Sequence, residues 1–180
     1  MSELVKAVLL CALLIPVAWI DWKTKRVPNR WTITFALAGL LASAVLSGPR
    51  GLLSSVLAMA AGLVLGFMLF TFGVIGGGDG KLMGAIGSIG GLRFFAEALA
   101  WTLLIGMVVS ILVLAWKKAL FPLLRRLIKA GWEAIRWQLE PSEAIVEGEG
   151  HRIPFAIVIG TGSVAALIAE TAGLRLFAGF

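Results

Sequence analysis

"GVIGGGDGKLMGAIGSIGG", residues 73 to 91, decides how this chain is read. Long apolar runs flank it on both sides, and it holds one carboxylate, Asp79, among glycines. An acid beside hydrocarbon is costly unless it is paired or reaches water, so by default it marks a function. The surrounding composition identifies the solvent. Of 180 residues, 59% are hydrophobic with glycine left out of the count, and the mean hydropathy is +0.97. A soluble domain averages roughly 45–50% apolar residues with glycine included. The apolar residues here also come in long blocks, several near the roughly 20 residues that a bilayer-spanning helix needs. The expected class is an all-α integral membrane protein.

Working outward from Asp79, the candidate crossings are Leu4–Ile20, Trp31–Leu46, Leu52–Ile75, Leu82–Leu92, Phe94–Trp116 and Ile153–Gly173. The fourth is short and Gly-rich, and at 1.5 Å per residue it covers roughly half of the hydrocarbon core. Charge decides whether it crosses. With all six crossing and the N-terminus outside, 12 of the 16 Lys and Arg residues fall inside, and Lys6, Arg50, Arg93 and Arg175 fall outside. A re-entrant fourth segment would export the cluster from Lys117 to Arg136, against the positive-inside tendency. Six crossings with both termini outside are therefore expected; the resemblance given below implies the inner (plasma) membrane of a prokaryotic cell. The N-terminal run lacks a small-x-small cleavage site and has a weak basic start, so it reads as an uncleaved first helix.

The net charge of +6 would suggest a nucleic-acid partner in a soluble protein. In a membrane protein it reflects cytoplasmic loops, and no nucleic acid is expected. The lone Cys11 allows neither an internal disulfide nor a multi-Cys zinc site, and neither metal nor cofactor is expected. Between the fifth and sixth segments, "ALFPLLRRLIKAGWEAIRWQLE" (119–140) sets Leu120, Leu124, Leu127, Ile128 and Ile135 near one face. It reads as an amphipathic helix on the cytoplasmic surface. The acidic stretch 140–150 follows, with Glu140, Glu143, Glu147 and Glu149; it is either a solvated linker or an attractor for a basic peptide. Neither a repeat nor a second domain is visible, so residues 1–180 are read as one membrane-embedded domain. Gly76, Gly80, Gly84 and Ser88 recur every four residues, as do Gly87 and Gly91, a spacing that lets helices approach closely.

Asp21 and Asp79 are the only aspartates. Each sits where an apolar run meets a basic segment, "VAWIDWKTKRVPN" and "GGGDGK". Two crossings separate them, and an even number returns the chain to the same side. Both carboxylates are thus expected at the cytoplasmic end of the bundle. Two neighbouring carboxylates do not both ionise easily and tend to share a proton. The ionised one takes a proton from water, and the protonated one donates to the scissile carbonyl or the leaving amine. This is aspartyl proteolysis without a metal or a covalent intermediate. Singly, each has a plainer explanation: Asp79 as a helix N-cap, Asp21 as an interfacial anchor beside Lys23 and Lys25. As a pair with no third aspartate, and with "GGGDG" freeing the backbone to open and letting another chain come close, catalysis is the better account. Pro28 ends the extension of the first helix, and Asn29 is placed to cap the second.

These residues resemble a family. Asp21 followed by Val27-Pro28-Asn29 resembles the "D…IPN" segment of type IV prepilin peptidases, with valine for the more usual isoleucine. "GGGDGKLMGAIG" resembles their GxGD-x-KL signature, through Gly76, Gly78, Asp79, Gly80 and Lys81. "HRIPFAIVIGTGSVAAL" is similar to the opening of their last helix. The resemblance implies a GxGD aspartyl endopeptidase with Asp21 and Asp79 as the catalytic pair. It would remove the short basic leader of pilin-like precursors at the cytoplasmic face, cutting after a glycine. Larger bacterial members carry an extra cytoplasmic region with paired cysteines and also methylate the new N-terminus. This chain shows neither feature and looks like the small form that serves tight-adherence (Flp-type) pili; archaeal preflagellin peptidases are also similar. Three other readings compete. A presenilin-like intramembrane protease shares GxGD but gives no reason for Pro28-Asn29. A transporter would use the two aspartates as a proton or cation site. A non-catalytic assembly subunit would leave the pair unexplained.

Overall fold

The computed structural model describes residues 3–24, 28–116 and 155–174. Among them every regular element is an α-helix: α1 (Glu3–Thr24), α2 (Asn29–Thr71), α3 (Gly77–Trp116) and α4 (Phe155–Thr171). The first three are long and apolar enough to cross a membrane, and α4 is a shorter apolar helix. The surface helix and acidic stretch expected over 119–150 lie outside the described residues.

Two of these helices are bent back on themselves. Gly48 in α2 has φ 66° and ψ −163°, and Gly91 in α3 has φ 76° and ψ 176°. Glycine enters this region without the Cβ penalty of other residues. Pro49 then opens the second limb of α2, where its missing N–H costs nothing. The reversal is measurable: Ser43 Oγ and Ser55 Oγ lie 2.7 Å apart, whereas twelve residues of straight helix would separate them by about 18 Å. Likewise Met83 and Thr102 line one cavity of about 40 Å³, although a straight helix would set them about 28 Å apart. The breaks expected near 47–51 and 92–93 are therefore present, as single-glycine reversals instead of loops. The second limb of α2 ends at Thr71, short of the expected Ile75. Its stop is a glycine cap: Gly73 at φ 71° donates its N–H to the Phe70 carbonyl at 2.9 Å, and Val74 donates to that of Leu69 at 2.9 Å.

The described residues fall into two compact units, one holding residues 3–105 and 155–174 and the other beginning at residue 106, where α3 runs on to Trp116. At the centre of the first unit is the short limb of α3. Residues 82–89 are buried on every side, which explains its lack of an amphipathic pattern. The segment that looked too short is thus the core of the bundle. The second limb of α2 runs antiparallel against it: Gly66 faces Gly80, Gly62 faces Met83 and Gly84, Ala58 faces Gly87, and Ser54 faces Gly91. The glycines of α3 noted in the sequence supply one side of this seam. The other side is the every-fourth-residue stripe Ser54, Ala58, Gly62 and Gly66. Outside, Val45 is 80% exposed and Phe67 66%, an apolar exterior that fits a membrane protein.

α1 packs against α4 and α2 through one stripe, Lys6, Leu10, Leu13, Val17 and Asp21, all buried. Charge closes both ends of this stripe, about 22 Å apart. At the Lys6 end, its ammonium bonds Glu170 of α4 at 2.9 Å and Glu3 at 3.2 Å and lies 5.2 Å from the Phe94 ring centroid. Removing one partner of a buried ion pair leaves the other charge stranded. We expect Lys6→Met to destabilise the fold by about 3–5 kcal/mol. A compensating Glu170→Leu restores most of the loss, as read by unfolding in mixed detergent micelles. No recovery in the double variant would show that Lys6 matters for some other reason.

Candidate active site

The Asp21 end of the α1 stripe meets the start of α3. Since α2 is a hairpin, its first and last residues lie at the same end of the bundle, and α3 starts where α1 finishes. A side-chain bond spans this end directly: Lys81 Nζ donates to Asn29 Oδ1 at 2.8 Å. The two-crossing parity read from the sequence is thus realised in the helices.

Asp21 sits in the last turn of α1, 5% exposed, and Asp79 in the first turn of α3, 8% exposed. Both lie at the end of the bundle where α1 finishes and α3 starts. Their hydrogen bonding differs. Asp79 Oδ2 accepts the Gly76 N–H at 3.1 Å, and the Asp79 N–H donates to the Gly76 carbonyl at 3.0 Å. Asp79 is therefore not the N-cap; it stands three residues inside and reaches back to the capping residue's N–H. Asp21 Oδ2 is buried and has no hydrogen-bond partner among the described residues. Leaving a buried acceptor unpaired costs about 1–3 kcal/mol, a cost that burial for packing alone does not explain. Among the described residues, no group of three or more His, Cys, Asp or Glu side chains converges to hold a metal ion.

The supporting residues fall around this pair, with two corrections. Gly77 to Gly80 are helical, so the glycine run does not open the backbone as expected. It does permit the close approach that was also expected: a Cβ on Gly80 would lie 3.0 Å from the Gly66 backbone, and one on Gly76 would lie 3.3 Å from Asp79 Oδ2. Asn29 does not cap α2. Pro28, with φ −70° and ψ 129°, occupies the cap position without a side-chain bond, and the Asn29 amide oxygen faces Lys81 instead. Gly78 is half-buried in the first turn of α3. Reading the sequence for aspartates alone missed the buried acid Glu97, 2% exposed, whose Oε1 lacks a partner among the described residues. It also missed the buried Lys6–Glu170 pair; ionisable residues inside apolar segments were the available signal.

Residues 8–114 match the type IV leader peptidase family, a span that contains both aspartates, Asn29 and Lys81. A prepilin leader peptidase/N-methyltransferase of Bacillus subtilis (strain 168) is 37% identical over 106 residues, 58% of this chain and 42% of that protein. The chain thus aligns with about two fifths of the length of that curated relative. No solved structure matches it. With more than half of its length matched, and the Asp21–Asp79 end of the bundle inside the match, the chain belongs to the type IV leader peptidase family.

Proposed function

We propose that this chain is a membrane aspartyl endopeptidase that removes the short basic leader of pilin-like precursors, cutting after a glycine at the cytoplasmic face. The observation that carries the proposal is the burial of two aspartates from different helices, one in the last turn of α1 and one in the first turn of α3, at one end of the bundle. One carboxylate is anchored by a backbone N–H. The other holds an oxygen without a partner among the described residues. One shared proton gives such a pair both functions that amide hydrolysis needs. The ionised carboxylate draws a proton from water as it attacks the scissile carbonyl, and the protonated one delivers a proton to the leaving amine. The two titrate jointly, and neither is assigned the proton at rest. The relative's name joins leader peptidase to N-methyltransferase; the proposal covers the peptidase activity alone.

Co-expression with candidate pilin precursors, scored by mobility shift and N-terminal sequencing of the product, tests this reading. A shortened product whose new N-terminus follows a glycine is expected. Ion-dependent flux in proteoliposomes with no cleavage would favour the transporter reading instead.

The proposed topology has six crossings, with both termini outside and the aspartates inside. In a Cys11→Ala background, cysteines placed at residues 23 and 118 are expected to react with impermeant maleimide from the cytoplasmic side, and one at residue 50 from the opposite side. Labelling of residue 50 only from the cytoplasm would overturn this orientation.

A further inference from the structure

We propose that Lys81 and Asn29 form a positioning clamp that holds the two aspartates in register. This rests on the peptidase reading above. The bond joins residues 52 positions apart at 2.8 Å, and it links the first residue of α2 to the fifth residue of α3. Asp79 lies two residues before Lys81, and Asp21 eight residues before Asn29. Lys81 thus stands close to Asp79 in the chain, and the bond fixes the start of α3, which carries Asp79, to the start of α2 at the end of the bundle where α1 finishes with Asp21.

Lys81 acts through position. Residues i and i+2 of a helix point about 200° apart, so the side of α3 that turns Asp79 toward Asp21 turns Lys81 away. Among the described residues, Lys81 makes no ion pair with either aspartate; its partner is the neutral amide of Asn29. The choice of a neutral acceptor has a reason. Two carboxylates repel whenever both are ionised, which pushes the end of α1 from the start of α3. A third carboxylate at residue 29 would add to that repulsion. An amide oxygen holds the start of α3 to the start of α2 without adding negative charge.

Two independent measurements test the clamp. The first is kinetic. Asn29→Leu and Lys81→Met are each expected to lower kcat for precursor cleavage about tenfold, with KM within about twofold, because small misplacements of catalytic groups penalise the chemical step. The double variant is expected to be no worse than the weaker single variant, since both remove one interaction. Lys81→Arg keeps a donor and is expected to retain most activity. The second needs no activity. In a Cys11→Ala background, Asp21→Cys with Asp79→Cys reports the encounter of α1 and α3 by its rate of disulfide formation under a fixed oxidant. Adding Lys81→Met is expected to slow that rate about tenfold if the clamp holds the two ends together. An unchanged crosslinking rate, or kinetic losses that add in the double variant, overturns the clamp. Absence of aspartate-dependent cleavage by the unaltered protein would sink the peptidase reading, and the crosslinking rate would still judge the clamp.

Discussion

If the proposed mechanism holds, Asp21→Asn and Asp79→Asn are each expected to reduce precursor cleavage by about a thousandfold, while the protein still inserts and folds. The size follows from the loss of general acid–base catalysis, worth about 10²–10⁴-fold. Survival of the fold follows from the geometry. The Asp79 carboxylate anchors the start of α3 by accepting the Gly76 N–H, and an Asn amide oxygen at the same position accepts the same bond. Asp79→Ala removes catalysis and the anchor together and does not separate them. For Asp21, which is buried with one unpaired oxygen, Asn keeps the volume and removes the ability to share a proton. The double Asn variant is expected to be no slower than either single one, because residues that act as a unit lose their function together. Normal cleavage by either single variant, in protein that melts like wild type, would exclude the two-aspartate mechanism.

The fold was legible where composition and period speak, and less so where glycine does. Apolar blocks located the helices, and charge parity brought Asp21 and Asp79 to one end. Glycine has no side chain to reveal its use. Gly48 and Gly91 reverse the chain, Gly73 caps α2, and Gly80 admits another backbone, yet a sequence prints all four alike. The run around Asp79 was read as opening the backbone and admitting another chain; the structure bears out the second part, with helix pressed against helix. Asn29 shows a second limit. Local propensity put a cap there, but a partner 52 residues away claims its oxygen, and no local pattern reveals such a competitor. Lys6 was read as a topological charge. Its burial against Glu170 depends on α1 and α4 being neighbours, which spacing along the chain does not disclose. The placement of the two aspartates at one end was legible because its logic is one of counting: two acids separated by one hairpin, α2.

The α2–α3 seam separates glycines that a sequence treats as equivalent, and the separation predicts opposite outcomes for the same substitution. Glycine to alanine inside a helix gains about 0.5–1 kcal/mol from lost backbone freedom. Overpacking costs about 1–3 kcal/mol, so the sign depends on what the new methyl meets. At Gly84 a Cβ would meet the Leu63 side chain, with Cγ and Cδ2 both at 2.8 Å. Leu63 is 42% exposed and can rotate away, so Gly84→Ala is expected to be nearly neutral. At Gly87 a Cβ would meet the Ala58 carbonyl, with oxygen at 2.5 Å and carbon at 2.7 Å; at Gly62 it would meet that of Met83 at 2.7 Å and 2.8 Å. Backbone cannot rotate away, so the helices must part. Gly87→Ala and Gly62→Ala are each expected to lose about 1–3 kcal/mol, and Gly87→Leu to prevent a stable fold. The activity loss should exceed the stability loss, because the seam sets the position of the limb that carries Asp79, and a shift of about 1 Å costs roughly a hundredfold in rate. Thermal melts in detergent and cleavage rates on the same preparations test both parts. If alanine at residues 84 and 87 proved equally harmful, or equally harmless, the seam would not be the close contact described.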